Sequence, residues 1–253
     1  MKDYQTILGI DIGGTGIKSA PVNVNEGKLV KEVIKVTTPE SADPSSMLPI
    51  VEDIIKHFQW KETIGCGFPG VIKKGVVQTA ANLSKDWLGV NLEDRISKIS
   101  LGTVKVLNDA DAAALAEMEF GAGKDHNCHG GGVILVVTLG TGIGSALFID
   151  GHLVPNTEFG HMEMDGRDAE KWAATVIREQ ENLSWQDWSK RVNKFLQRME
   201  MLLSPDLIII GGGVSENPER FFPFLDLKTK FVTAEMANDA GIIGAALSTV
   251  IQH

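Results

Sequence analysis

The chain has 253 residues, 43 % of them hydrophobic, which is enough for one large domain or for two lobes with a cleft between them. Its formal net charge of −9 argues against general nucleic-acid binding, and its two cysteines are too few for a disulfide framework and indicate a reducing compartment. With no signal peptide before the first apolar strand and no apolar run of roughly 20 residues, we expect a cytoplasmic protein that does not bind membranes.

The first half of the chain predicts strands alternating with helices. Residues 6–11 have the pattern of a buried strand, a glycine-rich turn follows, and residues 17–24 return as a second strand, which predicts a hairpin. The remaining predicted elements are an extended run at 29–38, a helix at 47–58, strands at 64–68 and 104–107, and an Ala-rich helix that ends near residue 120.

The second half repeats the hairpin pattern. Strands are predicted at 133–139 and 143–149, with a glycine turn between them, roughly 125 residues after the first hairpin, which predicts a duplicated fold. Ser184 and Asp187 have capping-box spacing at the start of a long amphipathic helix. A strand at 207–210, another glycine turn and a last helix at 239–251 complete an α/β chain of two similar lobes.

The two glycine turns are candidates for binding phosphate, because residues without side chains let backbone N–H groups approach an anion. The residues concerned are Asp11, Gly13, Gly14, Thr15, Gly16 and Lys18 in the first hairpin and Gly140, Thr141, Gly142 and Gly144 in the second. Neither turn is a P-loop, since no Gly-Lys-Ser/Thr follows at the required spacing. The alternative is a tight hairpin turn that needs glycine for a positive φ.

Two polar segments are candidates for acid–base chemistry and sugar binding. Asn108 and Asp109 stand where a strand ends and a helix begins, so that Asp109 is either an ionised general base or, with Asn108, only a helix cap. Glu158 and His161 follow a strand and suit adjacent sugar hydroxyls. A zinc site is disfavoured at this second segment, because no cysteine or second histidine stands at ligand spacing.

Three other sequence features are weaker indications of function. His126, Cys128 and His129 cluster in one loop but lack a fourth metal ligand. Residues 65–70 match the dinucleotide-binding glycine pattern only formally, because Pro69 interrupts it and no helix follows. Of the five tryptophans, Trp87 is the one that we retain as a candidate for the sugar site.

In this order the motifs resemble the ROK family of sugar kinases over essentially the whole chain, and within it the glucokinase branch that uses polyphosphate. The resemblance is carried by segments 9–18, 67–71, 80–83 with Trp87, 108–113, 139–145 and 155–161. It implies an actin-like ATPase (ribonuclease H-like) duplicated fold with a cleft between two lobes. The expected lobes are residues 1–110, with the helix at 240–253 packing back on them, and residues 111–239.

The resemblance also implies a mechanism and a set of site residues. Asp109 is expected to take the proton of the glucose 6-hydroxyl, and Asp11 to organise Mg²⁺ directly or through water. The glycine turns and Lys18 are expected to bind the donor phosphates. The expected glucose-binding residues are Gly70, Asn82, Asn108, Asp109, Glu158, His161 and Glu170, and Gly211, Gly212 and Gly213 are expected near the adenosine if a nucleotide binds. Because residues 162–174 contain no cysteine, no structural zinc is expected. The family resemblance further implies a homodimer.

Three rival functions remain. The first is an ordinary ATP-dependent glucokinase, since polyphosphate use requires a cationic groove for which the candidates are Lys18, Lys73, Lys74, Lys85, Arg167 and Lys171. The second is a sugar-sensing ROK-type regulator without catalysis, disfavoured because only five residues precede the first strand. The third is a polyphosphate hydrolase, disfavoured by the sugar-binding pattern at 156–161.

Overall fold

The computed structural model describes residues 5–81, 83–128 and 131–251, and it is built of α-helices and short β-sheets. The strands are β1 (Thr6–Ile12), β2 (Gly16–Asn23), β3 (Lys28–Leu29), β4 (Ile34–Thr37), β5 (Ile64–Phe68), β6 (Ile72–Lys73), β7 (Val76–Val77), β8 (Val104–Asn108), β9 (Val133–Leu139), β10 (Ile143–Ile149), β11 (His152–Val154), β12 (Glu163–Met164), β13 (Arg167–Asp168), β14 (Leu207–Gly211) and β15 (Lys230–Thr233). The α-helices are α1 (Pro44–His57), α2 (Leu92–Ser100), α3 (Asp109–Phe120), α4 (Lys124–Cys128), α5 (Glu170–Ala173), α6 (Thr175–Gln180), α7 (Trp185–Leu203) and α8 (Ala240–Leu247). Within the described ranges, no helix has both the length and the apolar character needed to cross a membrane.

The chain divides into two units. Unit 1 comprises the described residues through Ala116 together with those from Asp239 onward, and unit 2 comprises the described residues between Glu117 and Asn238. The first boundary falls inside α3, and the second falls just before α8.

Unit 1 contains a mixed sheet with the order β3-β2-β1-β5-β8, and β4 also pairs with β2. The β1–β2 pair is antiparallel, whereas β1–β5 and β5–β8 are parallel. The core of this unit is built from the apolar faces of its strands, α1 and α2, and includes the fully buried Phe68 and Trp87. Since β1, β5 and β8 run in the same direction, their carboxyl ends meet at one edge of the sheet, where ligands bind in open α/β sheets.

Helix α8 packs on β1 and β5 of unit 1, and glycine makes this packing possible. A Cβ on Gly65 would collide with the carbonyl oxygen of Ala245, and one on Gly9 would collide with that of Ile242. The glycine pattern at 65–70 therefore serves close helix–sheet packing, in agreement with its rejection as a dinucleotide site.

Unit 2 repeats the same sheet topology in the order β11-β10-β9-β14-β15. Its β9–β10 pair is antiparallel, and β14 is parallel to both β9 and β15. Helix α7 contributes Trp188, Phe195 and Met199 to the core of this unit. The two units thus share a hairpin followed by two parallel strands, which confirms the predicted duplication.

Most predicted elements are found within a few residues of their predicted bounds. Both hairpins are present, and Ser184 caps α7 by accepting a hydrogen bond from the backbone N–H of Asp187 (3.0 Å). Three differences stand out: α2 and the short elements between 152 and 180 were not predicted, α1 begins three residues earlier, and α8 ends at Leu247 rather than at residue 251. Helix α1 begins early because Asp43 caps it and Pro44 occupies its first position.

Candidate active site

Asp11 and Asp109 lie around the same glycine at the carboxyl edge of the unit 1 sheet. Asp11 is paired in register with Gly67 of β5. A Cβ added to Gly67 would lie 3.7 Å from Oδ1 of Asp11 and 3.6 Å from the Cα of Asp109. The structure therefore brings together the predicted metal-binding carboxylate and the predicted general base, because three parallel strands end at the same place.

The cap of helix α3 is formed by Asn108. Its Oδ1 accepts hydrogen bonds from the backbone N–H groups of Ala110 (2.8 Å) and Asp111 (3.0 Å), as expected for an N-cap residue. The Oδ1 of Asp109 accepts from the adjacent N–H of Ala110 (2.8 Å), and its side chain is half-buried. Of the two residues that the sequence offered as the cap, Asn108 has this role.

Asn108 is also tied to Gly70, another predicted glucose-binding residue. The Nδ2 of Asn108 donates to the carbonyl oxygen of Gly70 (3.3 Å). Glycine is required at position 70 because a Cβ there would collide with the backbone of Thr79. Gly70, Asn108 and Asp109 therefore form one fixed group at the end of β5 and β8.

The carboxylate of Asp11 is confined by its surroundings. Burial raises the pKa of Asp11, and the Lys18 ammonium, 3.9 Å away on β2, opposes that rise. A Cβ on Gly241, at the start of α8, would lie 2.7 Å from Oδ2 of Asp11. The distance to Lys18 exceeds that of a hydrogen bond, so that the negative charge is only partly compensated within unit 1.

These features fit a divalent cation at Asp11. Mg²⁺ prefers carboxylate oxygens and is held through one or two of them together with substrate phosphates and water. A mostly buried carboxylate with a single distant ammonium has the unsatisfied negative charge that such an ion needs. Among the described residues of unit 1, Asp11 therefore has surroundings that would suit such an ion.

The first glycine turn is fastened by hydrogen bonds. Gly13 donates its N–H to the carbonyl oxygen of Gly16 (3.0 Å), and its own carbonyl accepts from Oγ1 of Thr38 (2.6 Å). Gly14 and Thr15 are exposed at the tip. None of the three glycines of this turn has a left-handed φ, so the explanation that a positive φ requires them is wrong.

The second glycine turn is open. Gly140 also lacks a left-handed φ, and a Cβ added to it would meet no atom within 4 Å. Gly142 and Gly144 do not have a left-handed φ either, and Thr141 is exposed. The protein's own conformation and packing thus give no reason for glycine at position 140, whereas a ligand that approaches the backbone would.

The glycines at 211–213 lie against this second turn. Gly211 ends β14 beside Thr138 of β9. Gly212 has a φ of 86°, and a Cβ there would collide with the backbone of Leu139, the residue before Gly140. Gly213 is exposed, and a Cβ added to it would meet no atom within 4 Å. The three candidate donor-binding glycines of this segment therefore join the second turn in one region of unit 2.

The predicted sugar-binding side chains of unit 2 surround one histidine. The Nε2 of His161 lies 3.6 Å from Glu158, and its Nδ1 lies 3.7 Å from Glu170 and 3.5 Å from Asp168. Burial raises the pKa of Glu158; Glu170 adds to that rise and His161 opposes it. The structure thus brings Glu158, His161 and Glu170 together and adds Asp168, which the sequence patterns did not single out.

The same cluster has the spacing of a cation site. Ligand atoms of His161, Asp168 and Glu170 all lie within 4.8 Å of one another. The Nζ of Lys171 lies 3.3 Å from Oδ2 of Asp168, and this lysine is the first cause of the lowered pKa of Asp168. The ammonium of Lys171 therefore already compensates the charge of Asp168, one of the three potential cation ligands.

Residues missed by sequence reasoning hold this cluster in place. Ser145 of β10 donates from Oγ to the carbonyl oxygen of Thr157 (2.9 Å), and the same Oγ accepts from the N–H of Phe159 (3.0 Å). A Cβ on Gly160 would collide with the carbonyl oxygen of Ile143. Ser145 ends the motif at 139–145, so the sequence did contain this residue as a candidate. Its role could not be predicted, because its hydrogen-bond partners lie more than ten residues further along the chain.

The remaining predicted site residues either lie outside the described residues or do not belong to the site. Asn82 lies outside the described residues, as do His129 and the side chain of Cys128 from the loop cluster. Trp87 is not a sugar-site residue: it is fully buried, and its Nε1 donates to the carbonyl oxygen of Ala42 (2.9 Å). Its edge-on contact with Phe68 makes it part of the core of unit 1.

The duplicated sheets have the topology of an actin-like ATPase fold, the fold of the solved ROK sugar kinases that this chain matches. The chain belongs to the ROK family, whose sequence description matches residues 7–179. It is 43 % identical over 243 residues to the polyphosphate glucokinase of Mycobacterium leprae, covering 96 % of this chain and 74 % of that protein. It is 42 % identical over 244 residues to the polyphosphate glucokinase of Mycobacterium tuberculosis (strain CDC 1551 / Oshkosh), covering 96 % and 91 %. The crystal structure of the inorganic polyphosphate/ATP-glucomannokinase from Arthrobacter sp. strain KM matches with a TM-score of 0.92 at 43 % identity, covering 98 % of this chain and 99 % of that one.

Proposed function

We propose that this protein phosphorylates glucose at the 6-hydroxyl, with inorganic polyphosphate as the phosphoryl donor and Mg²⁺ as the metal. The observation that carries the proposal is the meeting of Asp11 and Asp109 at Gly67. The similarity to two polyphosphate glucokinases over 96 % of the chain supports both the acceptor and the donor.

Asp109 is the proposed general base. Its carboxylate accepts the proton of the glucose 6-hydroxyl while the hydroxyl oxygen attacks the terminal phosphorus in line. The bond between that phosphorus and the bridging oxygen breaks, the chain leaves one phosphate shorter, and the proton passes from Asp109 to solvent. Because Asn108 already caps α3, Asp109 is not needed for that purpose.

Glucose binding is proposed to draw on polar groups of each unit. In unit 1 these are Gly70, Asn108 and Asp109, with Asn82 as a further candidate from the family resemblance. In unit 2 they are Glu158, His161 and Glu170, whose close spacing suits adjacent hydroxyls. Within each unit the acceptors are held at fixed positions, which suits the positioning of substrate that phosphoryl transfer requires.

The donor phosphates are proposed to bind the glycine turns. Backbone N–H groups at Gly13, Gly14, Thr15 and Gly16, with Lys18, serve in unit 1, and those at Gly140, Thr141, Gly142 and Gly144 serve in unit 2, near Gly211, Gly212 and Gly213. The open space at Gly140 supports this role. Mg²⁺ held by Asp11 would neutralise charge on the phosphates as it develops.

A second candidate is the use of ATP in addition to polyphosphate, and of mannose in addition to glucose. It is favoured by the 43 % identity and TM-score of 0.92 to the polyphosphate/ATP-glucomannokinase. Two other functions are less well supported: a sugar-sensing regulator needs no general base such as Asp109, and a polyphosphate hydrolase needs no sugar-binding cluster such as that around His161.

A coupled glucose 6-phosphate assay with each donor separately tests the proposal. We expect turnover with polyphosphate and Mg²⁺, and its loss when the metal is chelated. Turnover with ATP but not with polyphosphate would assign the protein to the ordinary ATP-dependent glucokinases. Release of phosphate from polyphosphate without glucose 6-phosphate would contradict the kinase proposal altogether.

We further propose that the protein works as a homodimer in the cytoplasm. The family resemblance supports the dimer, and the free, buried thiol of Cys66 is consistent with a reducing compartment. Size-exclusion chromatography with light scattering tests the dimer, and fractionation of cells tests the location.

A further inference from the structure

The second glycine turn of unit 2 has a cationic neighbour. The backbone N–H of Val176, near the start of α6, donates to the carbonyl oxygen of Gly140 (3.2 Å). Arg178 lies on the same short helix. The position of this arginine is therefore tied to the turn that is proposed to bind the donor.

Arg178 and a second arginine are both held against one tryptophan. The guanidinium carbon of Arg178 lies 4.2 Å from the centre of the Trp185 ring, and that of Arg220 lies 5.5 Å from the same centre. Stacking on an aromatic ring orients a guanidinium and leaves its edge free to donate hydrogen bonds. Two positive charges are thus held against one ring, and the first of them belongs to the helix whose backbone is hydrogen-bonded to the donor turn.

Neither guanidinium is engaged by the protein through hydrogen bonds. Arg178 and Arg220 make no hydrogen bond to any residue that the structure describes, and their nearest carboxylates, Glu179 and Glu219, lie at 3.6 and 3.8 Å. Arg191 is different: it lies near Trp172, but it donates to Glu181 (2.6 Å) and to the carbonyl oxygen of Trp172 (3.0 Å). The donors of Arg220 and the terminal nitrogens of Arg178 are not used in hydrogen bonds to the described residues, whereas the donors of Arg191 are; Nε of Arg178 is buried.

Helix α6 also contains buried polar atoms without hydrogen-bond partners among the described residues. Oγ1 of Thr175 and Nε of Arg178 are buried, and neither has a hydrogen-bond partner within the described part of the chain. Buried polar atoms without partners are rare and call for an explanation such as a missing ligand or ion. Both of these atoms belong to α6, the helix that is hydrogen-bonded to Gly140.

The other candidate cations are less suitable. Lys18 is directed at Asp11, and Lys171 is directed at Asp168. Arg167 shares the carboxylate of Glu181 with Arg191. These distances to carboxylates, 3.3–3.9 Å, are like those of Arg178 and Arg220; the difference is that, among the described residues, none of these three cations lies over an aromatic ring that would fix its orientation.

The ligand is an anion rather than a nucleotide base. A base would need the face of Trp185, but the guanidinium of Arg178 already covers the ring at 4.2 Å. Planar guanidinium groups bind phosphate oxygens in pairs of parallel hydrogen bonds, which is the contact that a chain of phosphates offers repeatedly.

We propose that Arg178 and Arg220, stacked on Trp185, form a binding site for the inner phosphates of polyphosphate, next to the turn that binds its terminal phosphate. This inference rests on the proposed function, because it takes polyphosphate as the donor. It predicts that the two arginines lower the KM for long-chain polyphosphate and have much less effect on the KM for donors of only a few phosphates.

The test uses the full chain with Arg178→Gln, Arg220→Gln and the double substitution. The matched control is Arg198→Gln, an exposed arginine about 20 Å further along α7 than Trp185. Initial rates are measured at saturating glucose with long-chain polyphosphate, tripolyphosphate and ATP. Melting temperatures verify folding. Arg178→Lys keeps the charge but removes the planar guanidinium, so that it separates the effect of charge from that of stacking and paired hydrogen bonding.

We expect the KM for long-chain polyphosphate to rise about tenfold in each single variant and further in the double variant, since each loses a charge-assisted hydrogen bond. The KM for glucose and the rate with tripolyphosphate should stay near the values of the control. Salt should raise the long-chain KM of the unsubstituted protein more steeply than that of the double variant.

A long-chain KM equal to that of Arg198→Gln would overturn the inference and leave the proposed function intact. A loss that falls on ATP alone would assign the site to the nucleotide instead. If the unsubstituted protein uses no polyphosphate, the proposed donor itself fails, and the comparison of donors separates that outcome from the others.

Discussion

The first and second hairpins have the same backbone pattern but different chemistry. In each hairpin we compare the second residue pair counted from the turn. In β1–β2 this pair is Asp11 opposite Lys18, whereas in β9–β10 it is Thr138 opposite Gly144. The first hairpin therefore carries a buried charge and its partner, and the second carries only a hydroxyl and backbone. The two hairpins share a backbone pattern, and only the first carries a carboxylate at this position.

This difference suggests a division of tasks between the units. The parallel strands of unit 1 end in Asp11 and, one residue past β8, Asp109, which suit metal binding and proton transfer. The corresponding edge of unit 2 carries the open turn at Gly140 and the glycines that follow β14, which suit contact with phosphate through the backbone. Four substitutions test this contrast.

The largest effect is expected for Asp109→Asn. The amide cannot accept the proton, so kcat should fall by roughly 10²- to 10⁴-fold. The fold and glucose binding should persist, because Asn108 caps α3. Rates come from the coupled glucose 6-phosphate assay, and glucose affinity comes from calorimetry.

The control for this variant is Asp53→Asn, the same change at an exposed position of α1. Turnover of Asp109→Asn close to that of the control would show that another group takes the proton. A loss of glucose binding equal to the loss of rate would make Asp109 a binding residue only.

Asp11→Asn is expected to lower activity while it stabilises the fold. Loss of the carboxylate should reduce kcat/KM roughly 10- to 100-fold, as for other losses at a metal site. Because burial raises the pKa of Asp11, the folded state favours its protonated form, and its ionised form costs stability as pH rises through that raised pKa. The asparagine variant should therefore melt at a higher temperature than the unsubstituted protein at neutral pH without Mg²⁺.

The pH dependence of this gain provides the check. The difference in melting temperature should be largest well above the raised pKa and should shrink as pH falls, since protonation removes the cost in the unsubstituted protein. A variant that melts at a lower temperature at neutral pH would mean that the contact with Lys18 outweighs burial.

The smallest effect is expected from adding one methyl group to each turn. Gly140→Ala meets no atom of the protein, so it should raise stability by about 0.4–1 kcal/mol while it raises the KM for polyphosphate severalfold. In Gly13→Ala the new Cβ would lie 3.1 Å from the carbonyl oxygen of Gly16, so that its stability should fall slightly. An unchanged donor KM in Gly140→Ala would remove the second turn from the donor site.

Local patterns were sufficient to predict the two hairpins and the start of α3, which carry Asp11, Asp109 and the two glycine turns. Alternating burial and glycine turns predicted both hairpins, and a polar pair after an apolar strand predicted the start of α3. The capping residue Ser184 was identified from spacing alone. These signals work because the hydrogen bonds concerned join residues within a few positions of each other.

Contacts between distant segments were not predictable in the same way. Trp87 stands near a recognisable motif, yet it donates a hydrogen bond to Ala42 and is buried. Asp168 joins His161 only because β13 pairs with β12, and α6 reaches Gly140 through a backbone hydrogen bond. None of these partners is indicated by the residues next to it in the sequence.

The sequence by itself determined the duplicated hairpins, the acidic residues at the ends of the unit 1 strands and the family to which the chain is similar, because turn chemistry and periodicity act over a few residues. Only the tertiary structure decided that Asn108 rather than Asp109 caps α3, that Trp87 is buried in the core of unit 1, and that Arg178 and Arg220 share Trp185. Those outcomes depend on which surfaces pack together, and packing is settled by shape and burial across the whole unit.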